Sequence, residues 1–241
     1  MDRLQRIIDK GKKIVFFGGA GVSTASGIPD FRSGDGLYAK EYEGLTAEMM
    51  LSQSFFYLHP DLFYRFYRKH IIHPGAEPNA AHRKLAELER AGKLSGLVTQ
   101  NIDGLHRQAG SRLVYELHGS IHDNACIECG RHYGLEYILG ADGVPKCESC
   151  GGVVKPSVVL YGEGLDHYVS TGACREISRC DVLIVAGTSL TVEPAASFLE
   201  YFRGGGRAFV VINREETPAD SRATLVLRGD VADVLGSVEI K

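Results

Sequence analysis

Short apolar runs alternate with amphipathic stretches along this chain, and glycines mark most of the junctions. The opening segment MDRLQRIIDKGKK places Leu4, Ile7 and Ile8 on one face, which predicts an amphipathic helix. Ile14–Phe17 then reads as a short buried strand and Gly18–Gly27 as a turn. Asp30–Gly44 is rich in glycine and poor in aliphatics, a loop long enough to serve as a lid. Ser54–His73 repeats Phe55, Leu58, Leu62 and Phe66 at helical spacing until His73-Pro74-Gly75 stops it. A second amphipathic helix covers Asn79–Ala91, with Leu85 and Leu88 inward. Gly96–Thr99 and Val114–Leu117 read as strands, with a short helix at Ile102–Ala109 between them.

Residues 121–155 break this rhythm with four cysteines and few aliphatics. The rhythm is expected to resume with a strand at Val158–Tyr161, a helix near His167–Ser178 and a strand at Asp181–Ala186. A second glycine turn, Gly187-Thr188-Ser189, leads into a helix over Val192–Arg203. Ala208–Ile212, Leu225–Leu227 and a short helix at Val231–Leu235 complete the pattern. Alternating strands and helices imply an α/β fold, a parallel sheet covered by helices on both faces.

Composition narrows the class of protein. With 241 residues and 44% hydrophobic content, the chain can bury one sizeable core and carry a small attached module. A formal net charge of -3 without a basic run gives no electrostatic footprint for nucleic acid or an acidic membrane. No apolar run has membrane-spanning length, and no signal-peptide core precedes the first strand. The expectation is a cytoplasmic protein, in which six cysteines argue for metal binding or chemistry over disulfides.

Cys126-Ile-Glu-Cys129 and Cys147-Glu-Ser-Cys150 are two CxxC pairs with the spacing of a four-cysteine zinc ribbon. Four protein ligands leave no open position, so such a zinc is structural and does not activate water. A redox role is disfavoured, because neither pair opens a helix in a thioredoxin-like context. Cys174 and Cys180 stand alone and read as small buried hydrophobes.

The candidate chemistry gathers at strand ends. Gly19 and Gly21 permit a tight turn and a close ligand approach, and amides at such a turn suit a pyrophosphate. The third glycine of a dehydrogenase fingerprint is replaced by Thr24. Gln100-Asn101-Ile102-Asp103, His118-Gly119 and Gly187-Thr188-Ser189 each follow a strand, and open sheets bind ligands beyond these ends. His118 also precedes the cysteine module, which places it at the mouth of a cleft between two domains. A histidine there suits a general base near neutral pH, although a lone histidine is more often structural. Asn101 and Asp103 suit the orientation of a ribose or a water, and equally the capping of the next helix.

GAGVSTASGIPDFR, QNIDGLH at Gln100–His106, ELHG at Glu116–Gly119, the two CxxC pairs, GTSLTVEPA at Gly187–Ala195 and Ile212-Asn213 follow one another in this order. Through them the chain resembles the sirtuins, NAD-dependent protein-lysine deacylases, over nearly its whole length. The resemblance implies a discontinuous Rossmann-like domain (1–29, 74–118, 156–241), a cofactor loop and helical module (30–73) and a zinc ribbon (119–155). It further implies that Gly19, Ala20, Gly21, Thr24, Asp30, Phe31 and Arg32 contact NAD, and that Tyr38 lies near the far end of the cofactor loop. Gln100, Asn101, Ile102 and Asp103 would frame the ribose and the nicotinamide pocket, with Asp103 on the carboxamide. Gly187, Thr188, Ser189, Asn213 and Glu215 would hold the adenine ribose, with Asp230 and Val231 near the adenine. Val159, Tyr161, Gly162 and Glu163 would meet the substrate peptide, and Cys126, Cys129, Cys147 and Cys150 would bind one zinc.

In the implied chemistry the acyl oxygen attacks the anomeric carbon as nicotinamide leaves, giving an alkylimidate. A ribose hydroxyl, deprotonated through His118 and assisted by Asn101, then takes the acyl group and releases lysine. Relatives that prefer acidic acyl groups carry a Tyr-x-x-Arg pair, where this chain has Tyr67 and His70. Histidine is neither a fixed charge nor a fork, so acetyl or another uncharged group is expected over succinyl. A monomer acting on acetylated proteins or peptides is the resulting expectation. Competing readings are an ADP-ribosyltransferase or NAD glycohydrolase, a non-catalytic NAD-sensing or zinc-ribbon module, and a Rossmann dehydrogenase. The presence of His118 and Asn101 and the missing third glycine argue against the last two.

Overall fold

The computed structural model describes residues 1–32, 34 and 36–240. In chain order the main elements begin with helix α1 (Asp2–Lys10) and strand β1 (Ile14–Gly18). A hairpin of β2 (Glu41–Tyr42) and β3 (Leu45–Thr46) leads to helices α2 (Ala47–Met50), α3 (Gln53–Leu58) and α4 (Pro60–Phe66). Then come α5 (Ala80–Arg90), β4 (Leu94–Thr99), α6 (Leu105–Gln108), β5 (Val114–Glu116) and β6 (Gly119–Cys126). They are followed by β7 (His132–Tyr133), α7 (Leu135–Gly140), β8 (Val154–Val158) and α8 (His167–Arg179). β9 (Val182–Ala186), β10 (Ala208–Asn213), β11 (Leu225–Arg228) and α9 (Val231–Gly236) end the chain.

Six strands form a parallel sheet in the order β11-β10-β9-β1-β4-β5. Side chains alternate across it, as the pleat requires. Ile14, Phe16, Ile184 and Ile212 pack with Leu4, Ile8, Leu85, Leu88 and Leu235 on one face. Val15, Phe17, Leu183 and Val211 pack with Ala173, Ile177, Phe198 and Phe202 on the other. The expected Rossmann-like sheet with two covered faces is therefore present. Gly18 ends β1, where the strand order passes from β9 on one side to β4 on the other, so the glycine turn lies at the topological switch point.

A second, smaller lobe has its own core. Phe55, Phe56, Phe63, Tyr64 and Tyr67 pack with Ile121, Tyr133, Ile138, Val154 and Leu160 around the antiparallel sheet β7-β6-β8. The cofactor loop and helical segment thus share one interior with the cysteine module.

Three expected elements differ. The strand expected at Val158–Tyr161 is not in the parallel sheet: residues 154–158 pair antiparallel with β6. β8 alternates buried and half-buried positions instead of being buried throughout, which suits an antiparallel strand with one open face. The helix expected at Val192–Arg203 is a 3-10 stretch at Ala196–Tyr201, because the residue before Pro194 is steered away from the helical region. The helix expected at Ser54–His73 is broken at His59-Pro60 and ends in a π-helical turn over Tyr67–Ile71. Parts of the expected lid also form regular structure, a 3-10 turn at Leu37–Ala39 and strand β2, while Ser33 and Asp35 lie outside the described residues.

Candidate active site

A cleft of about 390 Å³ opens where the parallel sheet meets the small lobe. Its floor is the end of β1 and the glycine turn beyond it. Gly19 and Gly21 press against the second glycine turn: a Cβ on Gly21 would stand 2.8 Å from the Gly187 Cα, and one on Gly19 2.8 Å from the Thr188 Cβ. Gly187 has φ 60 and a Cβ there would meet the Val22 nitrogen at 2.5 Å. The glycines therefore let two turns interlock, and side chains there would force them apart. Gln100 Nε2 joins the seam by donating to Thr188 Oγ1 at 3.0 Å.

The cleft brings together most of the residues expected from sequence. Gly19, Ala20, Gly21, Thr24, Asp30, Phe31 and Arg32 line it from the first turn. Gln100, Asn101, Ile102 and His118 line it from β4 and β5, and Gly187, Thr188, Ser189, Asn213, Glu215 and Val231 from the far strands. Tyr67, Val159, Tyr161, Gly162 and Glu163 line it from the small lobe and the segment after β8.

His118 is half-buried at the end of β5. Its Nδ1 lies 2.8 Å from the Gln100 carbonyl, which can only accept, so Nδ1 carries the proton and Nε2 keeps a lone pair. Burial pushes its protonation below the ordinary histidine range, against the opposing pull of that hydrogen bond. A neutral imidazole with one nitrogen anchored is a base poised to accept a proton at neutral pH. The next segment packs on it directly, as the Val159 N–H donates to the His118 carbonyl at 2.9 Å.

Beside the main cleft lies a cavity of about 50 Å³, sharing Ala20, Phe31, Ile71, Asn101 and Ile102 with it. Asp103 lines this cavity and not the main cleft. Buried Ser23 ties its wall together, donating to Asp103 Oδ2 at 2.6 Å and accepting from Asn101 Nδ2 at 3.0 Å. The other Asp103 oxygen accepts the Leu105 N–H at 2.9 Å, so the capping and the polar-network readings of this residue both hold. Ser23 was not singled out from the sequence; its signal was a hydroxyl inside a glycine turn. Leu51, Ile71, Val192, Pro194 and Arg214 also line the cleft without a sequence cue beyond their neighbours.

One expected placement differs, and two of the expected carboxylates are already engaged by neighbours. His70 does not stand beside Tyr67: it lines the smaller cavity and packs against Tyr42 at 4.5 Å and Phe66 at 5.2 Å. Residues three apart share a face in an α-helix. The π-turn, closed by the Ile72 N–H to the Tyr67 carbonyl at 3.1 Å, rotates His70 away and brings Ile71 to the cleft instead. Asp230 lines neither cavity, because its carboxylate caps α9 at Ala232 and pairs with Arg214. Glu163 reaches the cleft, but its carboxylate holds Lys155 and the Leu160 N–H. The cofactor loop meets the segment after β8 through a hydrogen bond between the Tyr38 and Tyr161 hydroxyls.

At the outer end of the small lobe, the four sulfurs of Cys126, Cys129, Cys147 and Cys150 lie within 4.8 Å of one another. Cys126 and Cys150 sulfurs are 3.4 Å apart, Cys129 and Cys147 sulfurs 3.6 Å, and all four are free thiols. Tetrahedral zinc with bonds of about 2.3 Å separates its thiolates by about 3.8 Å, so the donor set fits zinc.

The profile of the Sir2 family matches residues 19–194. The chain is 51% identical over 239 residues to an NAD-dependent protein deacetylase of Clostridium perfringens, covering 99% of this chain and 98% of that one. It is 52% identical over 239 residues to an NAD-dependent protein deacetylase of Cutibacterium acnes, covering 99% and 97%. A solved complex of Sir2, a p53 peptide and NAD+ superposes with a TM-score of 0.86 at 38% identity, covering 98% of this chain and 95% of that one. A structure of Sir2Tm bound to a propionylated peptide gives a TM-score of 0.85 at 36% identity, with the same coverage. The family profile spans most of the chain and these relatives share its whole length, so the chain belongs to the Sir2 family.

Proposed function

We propose that this chain removes acetyl or other uncharged acyl groups from protein lysine with NAD as co-substrate and the uptake of one water, giving nicotinamide, O-acyl-ADP-ribose and free lysine. The observation that carries the reading is His118, an anchored neutral base in the cleft that also holds the glycine turn. Gly19–Arg32 and Gly187–Ser189 bind the dinucleotide along the sheet ends, with Asn213, Glu215 and Val231 at the adenosine end. Asn101, held by Ser23, positions the ribose, and Asp103 in the small cavity receives the carboxamide. His118 Nε2 accepts a proton from a ribose hydroxyl. Among the described residues the Val159 carbonyl and the Gly162 N–H have no partner and are open to a peptide, while Tyr161 between them bonds Leu51 and Gln53 through its backbone.

The acyl chain is taken by the wall of Leu51, Tyr67, Ile71, Val158 and Leu160, which has no cation. Arg68 is committed elsewhere, to the carbonyls of Ile138 at 2.8 Å and Gly143 at 2.6 Å. An acidic acyl group would be buried there unpaired, which disfavours succinyl. The four cysteines hold one structural zinc that staples the small lobe. The separate interior of the small lobe supports the domain division given by the resemblance, with the helical module (30–73) and the zinc ribbon (119–155) sharing one core and residues 156–158 joining them through β8. One chain carries the whole constellation, so a monomer suffices, and thiols arranged for metal suit the reducing cytoplasm. No helix among the described residues is long and apolar enough to cross a membrane.

The test is nicotinamide release from NAD with and without an acetyl-lysine peptide, for the parent and His118→Ala. Peptide-dependent release with acetyl on ADP-ribose, and a fall in kcat of about 10²–10⁴-fold in the variant, is expected. Release without peptide would instead support the glycohydrolase or transferase, and turnover of succinyl over acetyl peptide the desuccinylase.

A further inference from the structure

The wall of the cleft that faces the peptide is curled around one lysine. The Lys155 ammonium, on β8 with a side chain only 13% exposed, makes three hydrogen bonds. They run to the carbonyls of Pro156 at 3.1 Å and Val158 at 3.2 Å and to Glu163 Oε2 at 3.1 Å. Those three acceptors satisfy its three donors. Glu163, 18% exposed at its side chain, spends the same oxygen on the Leu160 N–H at 2.9 Å, and the Glu163 N–H returns to the Leu160 carbonyl at 2.9 Å. The backbone from 156 to 163 is thereby folded around a single, largely desolvated ion pair. It is the stretch whose Val159 N–H holds the His118 carbonyl, and whose residues 158–163 line the cleft.

We propose that Lys155 and Glu163 are positioning residues that set the peptide-binding wall, with Glu163 acting through Lys155 and not by touching the peptide. The proposal rests on the deacylase reading. Its chemistry is specific. Removing one partner leaves the other charged and desolvated, so the wall relaxes toward water and its backbone groups lose their alignment to a peptide. Arginine keeps the charge and several donors, and glutamine at 163 keeps the shape with a weaker acceptor. The dinucleotide floor lies on other elements and is not held by this pair.

The experiment measures KM for an acetyl-lysine peptide, KM for NAD, kcat and the melting temperature in Lys155→Met, Lys155→Arg, Glu163→Gln and the double variant Lys155→Met/Glu163→Gln. The expected result is a peptide KM raised about tenfold in Lys155→Met, with KM for NAD within about twofold and most of the loss recovered by Lys155→Arg. Glu163→Gln serves where Lys155→Met does not fold, and should raise the same KM by about threefold or more. The double variant should be no worse than Lys155→Met alone, because both members act as one unit. An unchanged peptide KM in the folded single variants would overturn the proposal. So would additive losses in the double variant, which would make Glu163 an independent contact to the peptide. A parent enzyme inert toward the acetyl peptide would overturn the deacylase reading and this proposal with it; an active parent with unmoved variants overturns this proposal alone.

Discussion

In the six-stranded sheet, every residue of β1 and of β9 is buried, and two continuous apolar layers cover its faces. In the three-stranded sheet of the small lobe the strands are only partly buried, and the interior mixes aromatic rings with the thiols Cys126 and Cys147. Both interiors border the same cleft, yet one has enough aliphatic surface to hold itself and the other has part of its packing replaced by ligands for a metal. The large lobe supplies the fixed floor and the anchored His118. On the proposed function the small lobe and the segment after β8 supply the walls that choose the acyl chain and the peptide, so specificity would sit on the side that carries the four-thiol cluster.

Removal of the metal is the largest way to break this comparison. Structural zinc contributes on the order of 10 kcal/mol to small domains of this kind. Chelation, or Cys147→Ser, should abolish protection from hydrogen exchange in β6, β7 and β8 and lower deacetylation by about a hundredfold or more. Protection in β9 and β10 should remain. Simultaneous loss in both sheets would show that the two interiors are one cooperative unit.

The same contrast explains what could be read from the sequence. Strands buried on both faces appear as apolar runs such as Ile14–Phe17, so the sheet, its strand ends and His118 were legible, and the paired CxxC motifs marked the small lobe. The aromatic helix carried no sign that its last turn would widen, so His70 was misplaced beside Tyr67. β8 has no apolar run to distinguish its sheet, and its Lys155 is explained only by Glu163, eight residues on. Ser23 acquires its role from Asp103 and Asn101, which the fold brings to it.

Acid should separate the lobes by a smaller amount. His82 and His106 are buried in the large lobe with ring centroids 4.6 Å apart, and burial pushes His82 down to about 4 and His106 well below the usual range. Asp103 opposes the shift at His82, while Arg83 adds to it and His82 adds to that of His106. Folding depresses both, so the unfolded chain binds their protons more tightly. The stability they permit is complete above pH 6.5 and is lost as pH falls toward 4, at a cost of a few kcal/mol. Denaturant midpoints between pH 7.5 and about 5 should fall in the parent and fall less in His106→Phe, which keeps a ring against Phe16 without a proton to gain. Equal slopes would place the acid sensitivity outside this pair.

The smallest contrast compares one cap in each lobe. Asp166 caps α8 by accepting the Val169 N–H at 2.8 Å, and Ser52 caps α3 by accepting the Phe55 N–H at 3.2 Å. Loss of either to alanine costs about 1 kcal/mol locally. α8 packs on the parallel sheet through Ala173 and Ile177, so Asp166→Ala should lower the global midpoint by that amount. α3 packs through Phe55 and Phe56 in the zinc-held interior, so Ser52→Ala should speed exchange in the small lobe and zinc loss to a chelator, with the midpoint of the large lobe unchanged. If both substitutions lowered the same midpoint equally, the zinc would be joining the lobes into one folding unit, and the wall of the cleft would be as fixed as its floor.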